Sequence, residues 1–171
     1  IRNLQGIHNQ ELETKDKEIS RLNTIHAVYD LAKEQGDITD SSYEALEKRW
    51  KDENAERSKK VEKGEVIYGL KEYTFQLYLD YEISTLKEKY CNDTNREGMK
   101  LTEDEIQEHY QSREWIFGDS DENADLEMAR IAVERELREQ KYDDMITQRE
   151  TDSQVAGNME NVNRLTLKNI Q

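Results

Sequence analysis

The sequence predicts a mainly α protein, an elongated array of several helices, with short strands expected at most near residues 64–70 and 163–170. Three observations carry that expectation. None of the 171 residues is proline, the residue that interrupts a helix by removing a hydrogen bond and clashing with the preceding turn. Apolar residues make up 34% of the chain and charged residues 37%, against about 45–50% and about 25% in an ordinary globular domain. The apolar residues also recur at three-and-four spacing, so long helices with narrow apolar stripes and solvated outer faces accommodate them best.

Taken in order, residues 10–35 read as a first helix, with Ile19, Leu22, His26 and Tyr29 on one side beside Ile25 and Ala32, and Gly36 ending it. In GDITDSSYEALEKRW, Thr39 or Ser41 is the expected cap of a second helix. Ser41 would form a Ser-x-x-Glu box with Glu44, and Tyr43, Leu46 and Trp50 make the stripe. KDENAERSKKVEK continues it as a solvated face to Gly64. Between Gly64 and Gly69, Val66, Ile67 and Tyr68 are expected to form a short extended crossover, because glycine adopts turn conformations that other residues resist.

With Thr74 as cap, Phe75, Leu79, Ile83, Leu86 and Tyr90 fall along one helical side with Tyr78 and Tyr81 beside them, the strongest amphipathic pattern in the chain. NDTNREG, residues 92–98, is a loop. LTEDEIQEHY then opens with a capping box, Thr102 to Glu105, and with Leu101 placed to pack on Ile106. The turn-rich FGDSDENAD precedes a long helix over roughly 124–150, striped by Leu126, Ala129, Val133, Leu137, Tyr142, Met145 and Ile146, in which Glu134 and Arg138 pair at i,i+4. From Gly157 the pattern suits strand and helix alike. The expected organisation is an N-terminal extension, 1–20, and a single helical domain, 20–171.

Charge limits the partners. The net charge is −14, and residues 100–160 hold 18 acids against 7 bases. Such a field repels phosphate backbones and anionic lipid, so nucleic acid is excluded and basic or apolar partners are favoured. No run approaches the ~18 apolar residues of a membrane span. The chain opens at Ile1 rather than methionine, which leaves membrane attachment only to an anchor preceding it.

No catalytic residue, metal ligand set or cofactor site is predicted. GEVIYGLK resembles a phosphate loop, but Lys71 stands two residues after Gly69 and no Ser or Thr follows to hold magnesium. DSDENADLEMAR has Asp119, Asp121 and Asn123 in calcium-loop register, yet Ala124 replaces the turn glycine and Arg130 the bidentate glutamate. Glu105 and His109 share a face without a second such pair. Cys91, the single cysteine, forms no internal disulfide and reads as a half-buried thiol at a helix end.

What remains is aromatic. Tyr68, Tyr73, Phe75, Tyr78 and Tyr81, with Trp115 and Phe117, are the candidate client-binding residues. In a chain so short of core they either form the packing seam or line an exposed apolar groove, the usual mark of an interaction site.

The succession LAKEQGDITDSSYEALEKRWKDENAER, KGEVIYGLKEYTFQLYLDYEISTLKEKY, LTEDEIQEHYQSREWIF and IAVERELREQKYDDMI resembles the helical chaperone domain of bacterial SurA and PrsA-type foldases. In such proteins the segment matching LTEDEIQEHYQ and Phe117 leads into an inserted parvulin isomerase domain. Here only GDSDEN separates Phe117 from Ala124, too little for that domain. The resemblance implies a non-catalytic, chaperone-like module of the cell envelope that holds unfolded or exported polypeptides. The alternative is a structural envelope protein whose helices, beginning with a weak coiled coil over 10–35, assemble a homodimer or larger homo-oligomer.

Overall fold

In a computed structural model that describes residues 2–119 and 121–152, the chain is mainly α, with five helices and no strand among the described residues. They are α1 (Arg2–Glu34), α2 (Tyr43–Glu62), α3 (Phe75–Asn92), α4 (Glu103–Gln111) and α5 (Leu126–Asp152). None of them is long and apolar enough to cross a membrane. Helix α1 starts well before the expected residue 10, since no proline stands ahead of it to stop the helix. At α2 the cap is Ser42 rather than Thr39 or Ser41. Its hydroxyl accepts from the Ala45 N–H, and its own N–H donates to Asp40, so the box with Glu44 does not form. The strand expected near 64–70 is absent because the backbone there is held by side chains of α2 instead of a neighbouring strand. The one near 163–170 lies outside the described residues.

The chain divides into two compact units, one built from residues up to Ser84 and again from Arg149, the other from Thr85–Gln148. In the first, α1 buries Ala27, Val28, Tyr29, Leu31 and Ala32, α2 buries Leu46, and α3 buries Tyr78 and Leu79. Among them lies a buried carboxylate, Glu82. It accepts from the Tyr29 hydroxyl at 2.5 Å, the Tyr78 hydroxyl at 2.9 Å, and Arg49 Nε and Nη2 at 2.7 and 3.2 Å. Burial, reinforced by the adjacent carboxylate, pushes both phenols far above their ordinary value, which keeps them protonated as donors. At the C-terminal ends of α1 and of the α5 segment in this unit, Arg149 grips Glu34 through two hydrogen bonds.

The second unit closes around Ile106, Trp115, Ala129 and Val133, with Leu101, Tyr110, Ala124, Leu126 and Ala132 packed against them. Tyr90 and Tyr142 meet at 5.4 Å, and Met99 is wholly buried beneath the Arg138 guanidinium, which donates to its carbonyl. The expected capping box is present. Thr102 Oγ1 accepts from the Glu105 N–H, and Glu105 accepts from the Thr102 N–H at 2.8 Å while also pairing with Lys141 on α5. Those donors, Lys141 first, lower the Glu105 carboxyl to about 2. Cys91 is buried near the end of α3, and burial raises its thiol to about 11.

Two outcomes follow. Arg49→Met strands Glu82 in a setting where both side chains are mostly covered, 25% and 11% exposed. Urea unfolding followed through the first unit should register a loss of about 3 kcal/mol, the usual cost of leaving a buried charge unpaired. For Glu105, a folded pKa below the unfolded ~4.3 means the stabilisation is complete above pH ~4.5 and is lost as pH falls towards 2. The unfolding midpoint of Glu105→Gln should therefore lie below wild type at pH 7 and converge with it near pH 2; a constant gap across that range contradicts this origin.

Candidate functional site

The segment after α2 is a display loop, and its construction begins at Gly64. With φ +70° there, the Glu65 N–H reaches back to the Lys60 carbonyl and the Gly64 N–H to Val61, the paired bonds of a Schellman stop. The chain then runs along α2 without secondary structure of its own, and three α2 side chains take up its backbone groups. Arg57 donates to the carbonyls of Leu70 at 2.7 Å and Tyr68 at 3.3 Å. Asn54 exchanges two bonds of 2.9 Å with the backbone of Tyr73, and the Trp50 indole N–H adds a third at 2.7 Å. Trp50, Asn54 and Arg57 follow i, i+4, i+7 spacing, so they rise on one face of α2 like rungs.

Because the backbone is satisfied from behind, the apolar side chains turn outward. Val66 is 77% and Tyr68 86% exposed, and Leu70 is about half exposed. Next to them the Arg57 guanidinium lies 4.4 Å over the Tyr73 ring, which stacks on Tyr81 at 5.3 Å. Tyr81 and Leu77, one helical turn apart on α3, are also exposed. Phe75 instead fits between Trp50 and Tyr43, each 5.6 Å away, and Tyr78 points inward to Glu82. Of the five aromatic residues expected here, the loop thus presents Tyr68 and α3 presents Tyr81, Tyr73 supports them, and Phe75 and Tyr78 build the frame.

In the second unit, Trp115 is only 2% exposed. Its indole donates to the Tyr110 carbonyl, its N–H to Asn123, and its carbonyl accepts from Ala124. Phe117 and its neighbour Ile116 are exposed, and they border a shallow pocket of 230 Å³ whose other residues include Arg113, Ala132 and Arg135. Met128 and Ile131 escaped the sequence reading. They are 72% and 85% exposed and lie across α5 from the buried Ala129 and Val133. At about 100° per residue the two pairs occupy opposite sides of the helix. The signal was available as apolar residues on the face that the stripe leaves over.

Among the described residues no group of three His, Cys, Asp or Glu side chains is placed to hold a metal ion. Two buried groups that look reactive are set by their surroundings: Glu82 accepts four donations, and burial raises the Cys91 thiol. The arrangement can bind an apolar surface.

No family model matches the chain. It is similar to a protein of Bifidobacterium longum subsp. longum described as a chaperone for lacto-N-biosidase, with 30% identity over 131 residues, which take in 77% of this chain and 47% of that protein. The chain therefore spans about half the length of the curated relative it matches. Its fold is also found in the crystal structure of a GH136 lacto-N-biosidase from Eubacterium ramulus, with a TM-score of 0.65 and 20% identity over 83% of this chain and 28% of that one. These findings overturn the resemblance to SurA and PrsA-type foldases. The pieces that suggested it, amphipathic stripes and a Thr-x-x-Glu box, are general devices of helix formation and recur in unrelated helical folds.

The display loop depends on Gly69, whose φ of +84° lies in the left-handed region. A Cβ there would sit 3.8 Å from the Tyr73 hydroxyl, an ordinary contact, so the penalty is one of backbone conformation. Gly69→Val should cost about 1–2 kcal/mol, seen as a lower melting temperature, while Gly69→Asn, which tolerates that region, should lose less. Equal effects for the two variants would contradict this account.

Proposed function

We propose that this chain is a non-catalytic folding partner of a glycoside hydrolase of the lacto-N-biosidase kind, which it engages through exposed apolar side chains. The observation that carries the reading is the similarity to a protein described as a chaperone for such an enzyme. A second finding agrees with it: a fold of this kind makes up 28% of a chain that is itself described as a lacto-N-biosidase. A helical module that occurs as a separate chaperone in one protein and joined to a hydrolase in another fits a role beside that class of enzyme.

The chemistry of the surface supports a polypeptide client. Val66, Tyr68, Leu70, Leu77 and Tyr81 place apolar area in solvent on one unit, where such patches ordinarily mark contact sites. The display loop is also held in place before any partner arrives, which lowers the ordering cost of association. A client that is one enzyme, rather than exported polypeptides in general, is the finer form of the proposal.

The test is co-expression. A lacto-N-biosidase lacking a helical segment of its own is produced with and without this chain, and soluble lacto-N-biosidase activity is measured. Activity should rise severalfold with the chain and fall back with Tyr68→Asp, whereas aggregation of an unrelated unfolded protein should be unaffected. Hydrolase activity indifferent to the chain would overturn the reading, and equal protection of unrelated proteins would replace a dedicated partner by a general one.

A further inference from the structure

We propose that the second unit carries a preformed anchor pocket, bordered by Ile116 and Phe117, that takes one large apolar side chain of the client from a segment flanked by lysine or arginine. This deepens the folding-partner reading and rests on it.

Size is the first argument. At 230 Å³ the pocket falls below the ~300–1,000 Å³ of sites for drug-sized ligands and cofactors, and is of the size of one large side chain. Rigidity is the second. Trp115, almost wholly buried, backs the lining and is fixed by hydrogen bonds to Tyr110, Asn123 and Ala124. The Arg113 guanidinium lies 3.9 Å over that ring and is bonded to Glu136. A lining fixed before the partner arrives has little conformational freedom left to lose on binding.

Extent is the third. Along α5, Met128, Ala132, Arg135 and Glu139 follow one another at i, i+4, i+7 and i+11, so exposed Met128 lies on the same strip of helix as the pocket, with exposed Ile131 on the adjoining strip. Apolar surface therefore continues beyond the pocket mouth, as an extended client segment would require.

Charge then selects the occupant. Thr85–Gln148 contains 18 acids and 9 bases. The two pocket arginines are already matched, Arg113 by Glu136 and Arg135 by Glu139. They present no spare cation to an anionic ligand, and the unit as a whole carries twice as many acids as bases. A segment with basic flanks is attracted by that excess. A second copy of this chain would bring the same negative surplus against it, which disfavours self-association here.

The experiment uses the full chain with its hydrolase. Ile116→Glu combined with Ile131→Glu changes two exposed positions, and an unchanged melting temperature and helical circular dichroism establish that the fold is kept. Recovered hydrolase activity should fall by about tenfold or more, as expected for loss of an anchor. A photo-crosslinking residue at position 131 should capture a hydrolase peptide in which an apolar residue is flanked by Lys or Arg, with a yield that declines as salt is raised. If wild type raises the activity and the double variant does so equally, the inference falls while the proposed function stands. Crosslinks confined to a second copy, or to acidic client segments, overturn it too. If wild type itself has no effect, the function falls and the pocket's role with it.

Discussion

The buried carboxylate of Glu82 is the constraint on which the first unit turns. Three helices reach it, α1 through Tyr29, α2 through Arg49 and α3 through Tyr78 and Glu82 itself. A buried ion pair adds little stability beyond what apolar residues of similar volume would give, because desolvation offsets most of the attraction. Its geometric demand is another matter. A carboxylate accepting four donations has one arrangement of neighbours that satisfies it, so sliding or rotating any helix leaves a buried polar group unpaired, at about 1–3 kcal/mol. In a chain with 34% apolar residues, that penalty supplies the specificity that a larger core would otherwise enforce.

The consequence reaches the display loop through α2. Once Arg49 is turned towards Glu82, its neighbour Trp50 and the residues one and two turns on, Asn54 and Arg57, face the chain that returns from Gly64. Residues that look like a solvated helical face in the sequence therefore become the backing of a loop with no ladder of its own. Val66, Tyr68 and Leu70 are exposed because the carbonyls beneath them have partners inside the protein. The tertiary fit of one glutamate thus bears on which side chains meet solvent twelve or more residues away in sequence.

Periodicity made much of this legible. The stripe from Phe75 to Tyr90, the box at Thr102 and the long final helix each rest on local rules, and the structure has them. Local rules failed where two signals competed. Ser41 and Ser42 are both capping residues, and the Asp40 carboxylate decides for Ser42 by accepting its N–H. Aromatic residues drew attention as a class, yet an aromatic ring with a polar handle goes inside when a partner waits there, as Tyr78 finds Glu82 and Trp115 finds the Tyr110 carbonyl. Met128 and Ile131 were passed over for the converse reason. A single-stripe reading of a helix assigns everything off the stripe to solvent, without asking whether what remains there is apolar.

The two exposed surfaces share a logic that bears on the folding-partner role proposed above. Proteins that bind many clients use flexible surfaces, often rich in methionine, that repack around each partner. Here the chain has 4 methionines in all; Met99 is wholly buried, and Met128 is the one methionine among the presented side chains named above. The presented side chains stand on backbone pinned by Arg57, Asn54 and Trp50 in one unit, and on a helix fixed by Arg130–Glu103 and Lys141–Glu105 in the other. Exposed pairs of this kind add little to stability, too little to account for the fold, and their contribution is to the orientation of α5 against α4. A surface fixed in this way has little capacity to adapt to a wrong partner and little entropy to lose to the right one, which is what the proposed dedicated partner requires.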